Sequence, residues 1–469
     1  MANTTLPKWK RALIIVVALL FVIGIIISSV CIAVAAFRKN YFTEIPDHIT
    51  LSNVGDVQPL QAVGRGIYDK NGNRVTLNGI NFGNWLLQEG WMSVNSLGPS
   101  YKDNGDYLKI NDQGIVEEYA ETYQEEVFQA MYNNPNLTAE QIDELWNVYY
   151  DNYITEVDFM NVKEIGMNTI RLPMYYRNFM EGDDDNLTMR ADAFERLDWF
   201  LEMCRKYDLY AILDMHGVVG GQSGYEHSGT RNIDFWGNET YIAEMCTLWA
   251  NIALHYKNDR PDLSETIAAY DLVNEPVNRN TAKTTRKQWQ VLDRLYQAIR
   301  KVDTTHIISI ECCWSYDAFP KPTRFGWENV MYQIHLYNWS SATVSNDLFY
   351  WMEDLTYVSH AYDVPYIIGE FTFFDNESEW LKWLDEYDKR GYNWTIWNYK
   401  MSSVGWWDNS WGIYVNRMNL QNEKLKLDLR TATYDEIYAE WSTLATNSTE
   451  RKYETGVLYK VLTQHFANK

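Results

Sequence analysis

Apolar and polar positions change period repeatedly along the chain. Short apolar runs of strand length alternate with longer stretches at helical spacing. The runs are Val75–Asn81, Thr169–Pro173, Tyr210–His216, Ile267–Tyr270, His306–Ile310, Val330–Tyr337, Pro365–Glu370 and Asn393–Trp397. Helical spacing covers Ala139–Ile165, Ala191–Tyr207, Thr240–Tyr256, Lys283–Val302, Asn346–Tyr362 and Ser378–Lys389. Two further helical stretches follow at Tyr434–Ala445 and Thr455–Phe466. Strands separated in this way by helices predict an α/β fold, the (β/α)8 TIM barrel. Before the first strand, Gly66–Val75 reads as a hairpin around Asn71-Gly72. Residues 96–138 read as a long polar insertion on the active face, with a helical patch near Val116–Met131.

The N-terminus breaks the alternation. From Ala12 to Phe37 there is no charged residue, a stretch longer than the ~20 residues that span a bilayer. Lys8, Lys10 and Arg11 precede it. Residues 1–37 are therefore expected to be a cytoplasmic basic flank and transmembrane signal anchor, residues 38–62 a linker, and residues 63–469 the barrel domain. Ala33-Val34-Ala35 also fits a small-residue cleavage site. The barrel is expected outside the cytoplasm, either held at the membrane through residues 12–37 or secreted after cleavage.

Composition narrows the partners. A net charge of −22 argues against nucleic acid, which needs clustered Lys and Arg. The 20 Trp and 34 Tyr supply flat rings of the kind that stack on sugar faces, besides filling a core. The five cysteines form no CxxC pair, so neither a zinc site nor a disulfide framework is expected. Cys204 and Cys246 fall on consecutive helices and read as thiols rather than a disulfide.

The strand ends carry the chemistry. In a barrel of this kind the C-terminal ends of the strands form the active face. In chain order they present Asn81 with Glu89 beyond it, then Arg171, His216, Asn274-Glu275, His335 with Tyr337, Glu370 and Trp397. Pro276 cannot continue a ladder, which puts Asn274-Glu275 at a strand's end. Two carboxylates at two strand ends, Glu275 and Glu370, are the groups that cleavage of a glycosidic bond requires. One rival is a metal-dependent hydrolase using Asp214, His216, Glu226 and His227, although no HExxH motif is present. Another is a non-catalytic carbohydrate-binding barrel. No metal and no cofactor are expected.

The ordered set Arg171-Leu172-Pro173, His216-Gly217, Asn274-Glu275-Pro276, His335-x-Tyr337, Gly369-Glu370 and Trp397 resembles glycoside hydrolase family 5 over about residues 65–440. Asn84–Trp91 and Asp214–Gly229 resemble the loops after strands one and three of the exo-β-1,3-glucanases in that family. The chain departs from that group at Asn84, at Glu226-His227 and at Phe371. The resemblance implies a retaining β-glycosidase acting on β-glucan; a monomer is expected, with the oligomeric state left open by the sequence. It would release glucose from non-reducing ends of β-1,3-glucan, with an endo-β-1,4-glucanase as the alternative. It implies Glu370 as nucleophile, with its pKa lowered by Arg171 and Tyr337, and Glu275 as acid/base. Asn274, His216 and His335 would bond sugar hydroxyls, Trp397 would form a stacking floor, and Glu89 would hold a terminal sugar.

Overall fold

In the computed structural model, residues 7–41, 45–51, 59–93, 95–96, 108–110, 116–119, 121–277, 285–312, 319–337, 344–403, 411–417, 427–445, 448 and 457–467 are described. The chain divides into two compact units, Met1–Pro46 and Asp47–Lys469.

Among its described residues the first unit holds one helix, Lys8–Tyr41. Its stretch Lys8–Val30 is long and apolar enough to cross a membrane, with mean hydropathy 3.2, and none of it is buried by protein.

The second unit is the predicted barrel. Eight strands close it: β1 (Asn78–Asn81), β2 (Thr169–Tyr175), β3 (Tyr210–Gly217), β4 (Ile267–Asp271), β5 (Ile307–Glu311), β6 (Val330–Tyr337), β7 (Tyr366–Thr372) and β8 (Asn393–Ile396). All neighbours pair in parallel and in chain order, and β8 closes on β1 through Thr395 opposite Gly79. The Gly66–Val75 hairpin forms as expected, with Asp69 Oδ1 accepting from the backbone N–H of Asn71 and Asn73. Its Ile67, with Leu60, packs on Ile212, Ile307, Met331 and Ile367, so apolar side chains fill the N-terminal end of the barrel. Asp47 and Ile49 bond the hairpin's Arg74 and Gly72, so part of the expected linker is structured.

Two expectations are corrected. The stretch 139–165 is two helices, Ala139–Tyr153 and Glu156–Ile165. The break falls at Thr155, whose backbone N–H and hydroxyl both donate to Asp158 Oδ2 at 2.6 and 3.1 Å, a local cap that competes with a continuous helix. Within 116–131, Val116–Tyr119 is a strand paired with Leu108–Ile110, and the helix begins only at Gln124. The rest of the 96–138 insertion up to residue 120 lies largely outside the described residues. Cys204 and Cys246 are free thiols, as read from the sequence.

Candidate active site

Strand alternation builds the site in layers. Ile212, Ala269, Ile307, Met331 and Ile367 belong to the apolar plug at the N-terminal end. Two residues further along β3, β4, β5 and β6 come Asp214, Asp271, Ser309 and Gln333. One more step gives His216, Glu311 and His335. The barrel interior thus changes from apolar to charged along its own axis.

Glu370 has the wrong parity for this pattern, and a register shift corrects it. Ile334 pairs with Ile368, but His335 pairs with Glu370, so Gly369 is skipped as a bulge. Gly369 is required there because a Cβ would meet the Gln333 side chain at 2.6 Å. Its carbonyl accepts from Asn81 Nδ2 and Thr395 Oγ1, which fixes the bulge.

Arg171, fully buried, is the hub. Its guanidinium reaches Glu370 Oε1 at 2.8 Å, Asp271 Oδ2 at 3.0 Å, Asp214 Oδ2 at 3.1 Å, Asn81 Oδ1 at 3.1 Å and Asn274 Oδ1 at 2.9 Å. Asn274 Nδ2 keeps no partner among the described residues, leaving a donor for a bound group. The second Glu370 oxygen accepts from Tyr337 Oη at 2.9 Å.

Glu275 lies just past β4 and carries φ +40°. A non-glycine residue there is strained, and more so before Pro276. Its backbone N–H donates to Glu311 Oε2 at 2.9 Å, and its carbonyl accepts from the Val277 N–H, so the surroundings hold the strained turn in place. His335 Nδ1 lies 2.9 Å from Glu275 Oε1 and 3.4 Å from Glu370 Oε2. One imidazole nitrogen therefore touches both carboxylates.

At the rim, Trp397 stacks on His216 with ring centres 5.5 Å apart and planes 9° from parallel. Gly83 lies under it, where a Cβ would come 2.8 Å from the Trp397 ring. The Trp397-Asn398 peptide is cis. Asp214 Oδ2 lies 2.6 Å from His216 Nδ1, and His216 Nε2 faces Glu89 Oε1 at 4.0 Å. Glu89 also accepts from Trp91 Nε1 at 2.8 Å.

All nine residues expected at the site thus join one network. Two details differ from expectation. Both His335 nitrogens face carboxylates, Glu275 and Glu370 on one side and Glu311 on the other, where sugar hydroxyls were expected. Glu370 is not depressed. Burial pushes it up to about 7, while Arg171 and the Tyr337 hydroxyl act in the expected downward direction but do not win. Burial likewise raises Glu89 to about 8, Asp214 to about 7 and Asp271 to about 6, and holds His216 and His335 well below the usual imidazole range.

Several site residues escaped the sequence reading. Asp271, Glu311 and Gln333 would have followed from extending the inward parity of β4, β5 and β6. His227, named from the sequence only as a metal-ligand type and as a departure from the family pattern, sits in the short 3-10 turn Glu226–Ser228 with its Nδ1 3.2 Å from Glu275 Oε2. Trp411 packs against Trp91 and Tyr337, extending the aromatic wall beside Trp397. Of the metal-ligand types, Asp214 and His216 bond each other and Asp214 is bound to Arg171, while Glu226 accepts the Thr122 N–H. Glu275, Glu311 and His335 bring ligand atoms within 4.8 Å, a cluster in which His335 bridges the two carboxyl groups.

A parallel barrel with two carboxylates at the ends of β4 and β7 around a buried arginine is the scaffold of a clan A glycoside hydrolase. The family model for cellulase, glycosyl hydrolase family 5, matches residues 101–403, and the chain belongs to that family. A protein named beta-xylosidase from Phanerodontia chrysosporium is 28% identical over 286 residues, covering 60% of this chain and 52% of that one. Glucan 1,3-beta-glucosidases from Kluyveromyces lactis and Saccharomyces cerevisiae are each 28% identical, over 203 and 211 residues, covering 42% and 45% of this chain and 42% and 43% of theirs. The chain spans about half the length of these curated relatives. Among solved structures, rutinosidase from Aspergillus niger overlays with TM-score 0.53 at 14% identity, covering 80% of this chain and 97% of that one. An endogalactoceramidase overlays with TM-score 0.51 at 16% identity, covering 73% and 75%. Both share the fold.

Proposed function

We propose that this chain is a retaining β-glycosidase that releases glucose from the non-reducing ends of β-1,3-glucan. Glu370 attacks the anomeric carbon while Glu275 protonates the departing oxygen, and the glycosidic bond breaks. Water then attacks the glycosyl ester, gives its proton to Glu275, and frees Glu370. The observation that carries the reading is the single His335 nitrogen shared by Glu275 and Glu370 at 2.9 and 3.4 Å. Those two contacts keep the facing oxygens closer than the ~6.5–9.5 Å that an inverting pair needs for its water. The glucan preference rests on the relatives named glucan 1,3-beta-glucosidase. The end-wise action rests on Glu89, buried opposite His216 at the rim. The relative named beta-xylosidase supports a second reading, a terminal xylose in place of glucose.

The helix Lys8–Tyr41 supports a membrane anchor or export signal, with the barrel outside the cytoplasm. The test of function is chromatography of early products from laminarin, carboxymethylcellulose and xylo-oligosaccharides, with proton NMR of the first sugar released. Glucose in the β configuration from laminarin is expected. A ladder of oligosaccharides overturns end-wise action, xylose release in preference to glucose overturns the glucan, and an α-anomer overturns retention.

A further inference from the structure

Glu311 ends β5 with one oxygen on each part of the Glu275 machinery. Its Oε2 accepts the strained Glu275 N–H at 2.9 Å and Gln333 Nε2 at 3.2 Å. Its Oε1 lies 3.4 Å from His335 Nε2. Neither of those last two atoms has a hydrogen-bond partner among the described residues, and both are buried. An unpaired buried donor or acceptor costs ~1–3 kcal/mol, so two that face each other belong to one bond.

The location of the proton follows from counting. A neutral imidazole carries one N–H. With that hydrogen on Nδ1, directed at Glu275 Oε1, the Nε2 lone pair faces Glu311, and the contact is favourable only when Glu311 carries a hydrogen. Arg171 is the cation facing the carboxyl groups Asp214, Asp271, Glu311 and Glu370, which cannot all be ionised around one charge. Burial and then the Asp271 charge raise Glu311 well above the usual carboxyl range. Arg171 opposes this, and the Glu275 charge adds to it.

We propose that Glu311 is a positioning residue that stays protonated, donates Oε1–H to His335 Nε2, and so holds His335 as the Nδ1–H tautomer that aims Glu275. This rests on the acid/base role of Glu275 proposed above. Glu275 Oε1 then accepts from His335 through both steps, while Oε2, beside His227 Nδ1 at 3.2 Å, exchanges the catalytic proton. Glu311 also fixes the Glu275 backbone, so one side chain sets both position and tautomer.

The test compares Glu311→Gln with Glu311→Leu in the full chain. Rates are measured against pH on an alkyl β-glucoside, a poor leaving group, and on dinitrophenyl β-glucoside, whose departure needs no acid. Gln keeps a donor and an acceptor, and should match the parent enzyme within roughly threefold with an unchanged pH profile. Leu should lower kcat on the alkyl glucoside on the order of tenfold or more with little change in KM. It should also move the alkaline limb to higher pH, because Glu275 loses a hydrogen bond to its charged form. The dinitrophenyl substrate should be nearly indifferent. Equal damage by Gln and Leu, or a Leu profile with an unmoved limb and no leaving-group dependence, overturns the proposal. If the Leu variant does not fold, the Gln profile decides. An ionised Glu311 raises the Glu275 pKa, so an alkaline limb that falls in Gln contradicts the protonated state. Glu275→Gln runs in parallel: absence of leaving-group dependence there overturns the acid/base reading itself, whatever Glu311 does.

Discussion

Arg171 Nη1 meets Glu370 Oε1 at 2.8 Å with the arginine wholly enclosed by the barrel. The pair sits where burial alone would neutralise the carboxyl. Arg171 and Tyr337 together offset that cost only in part, so the balance between them sets the pH at which Glu370, the proposed nucleophile, is ionised. Glu370 is raised to about 7, so it becomes ionised only as pH rises toward neutrality, and the acidic limb of kcat/KM should lie well above the usual carboxyl range.

Tyr337→Phe should move that limb further up. The hydroxyl stabilises the charged form of Glu370, so its loss raises the pKa. Losing a hydrogen bond to a charged group costs about 1.5–3 kcal/mol, which corresponds to a fall of roughly ten- to a hundredfold in kcat/KM. A pH–rate profile that shifts to lower pH contradicts the assignment.

Glu275→Ala should cost several orders of magnitude on glucan and far less on dinitrophenyl β-glucoside, because only the former needs its leaving oxygen protonated. Added azide should then give the β-glucosyl azide, formed on the face that water normally uses. An α-azide would place the acid/base elsewhere.

Glu89→Ala should weaken binding of the terminal sugar by ~1–3 kcal/mol, since it strips a buried acceptor from opposite His216 and removes the Trp91 Nε1 hydrogen bond to Glu89. The readout is KM and product size on laminarin-oligosaccharides. Unchanged KM with glucose still the sole product would remove Glu89 from the end-binding role.

The barrel was legible because each strand and helix carries its own period, and the strand ends Asn274-Glu275 and His335-x-Tyr337 stand at the residues that terminate apolar runs. Glu370 was found from its position at a strand's end, but not why it faces inward. The Gly369 bulge depends on the partner strand and leaves no trace in one strand's alternation. Glu311 was missed because the fifth strand was ended one residue early, at Ile310. The direction of the Glu370 shift was misread for a related reason: sequence names the charged neighbours, whereas burial depends on everything packed around them. The break at Thr155 was visible in principle as a Thr-x-x-Asp cap inside a helical pattern.

Removing residues 1–46 should leave a soluble, active enzyme. The helix Lys8–Tyr41 belongs to a separate compact unit, and the hairpin contacts begin at Asp47. Size-exclusion chromatography and turnover on an aryl glucoside check this. Aggregation with activity only in detergent would make the segment part of the catalytic fold.

The most direct test of the account is to trap the covalent intermediate. A 2-deoxy-2-fluoro-β-glucoside with an activated leaving group slows both steps but the second more, so the glycosyl-enzyme accumulates. Mass spectrometry of the inactivated protein should show one added fluoroglucosyl group per chain, and peptide mapping should place it on Glu370. A label on any other carboxylate, or full turnover with no covalent adduct, would contradict the mechanism.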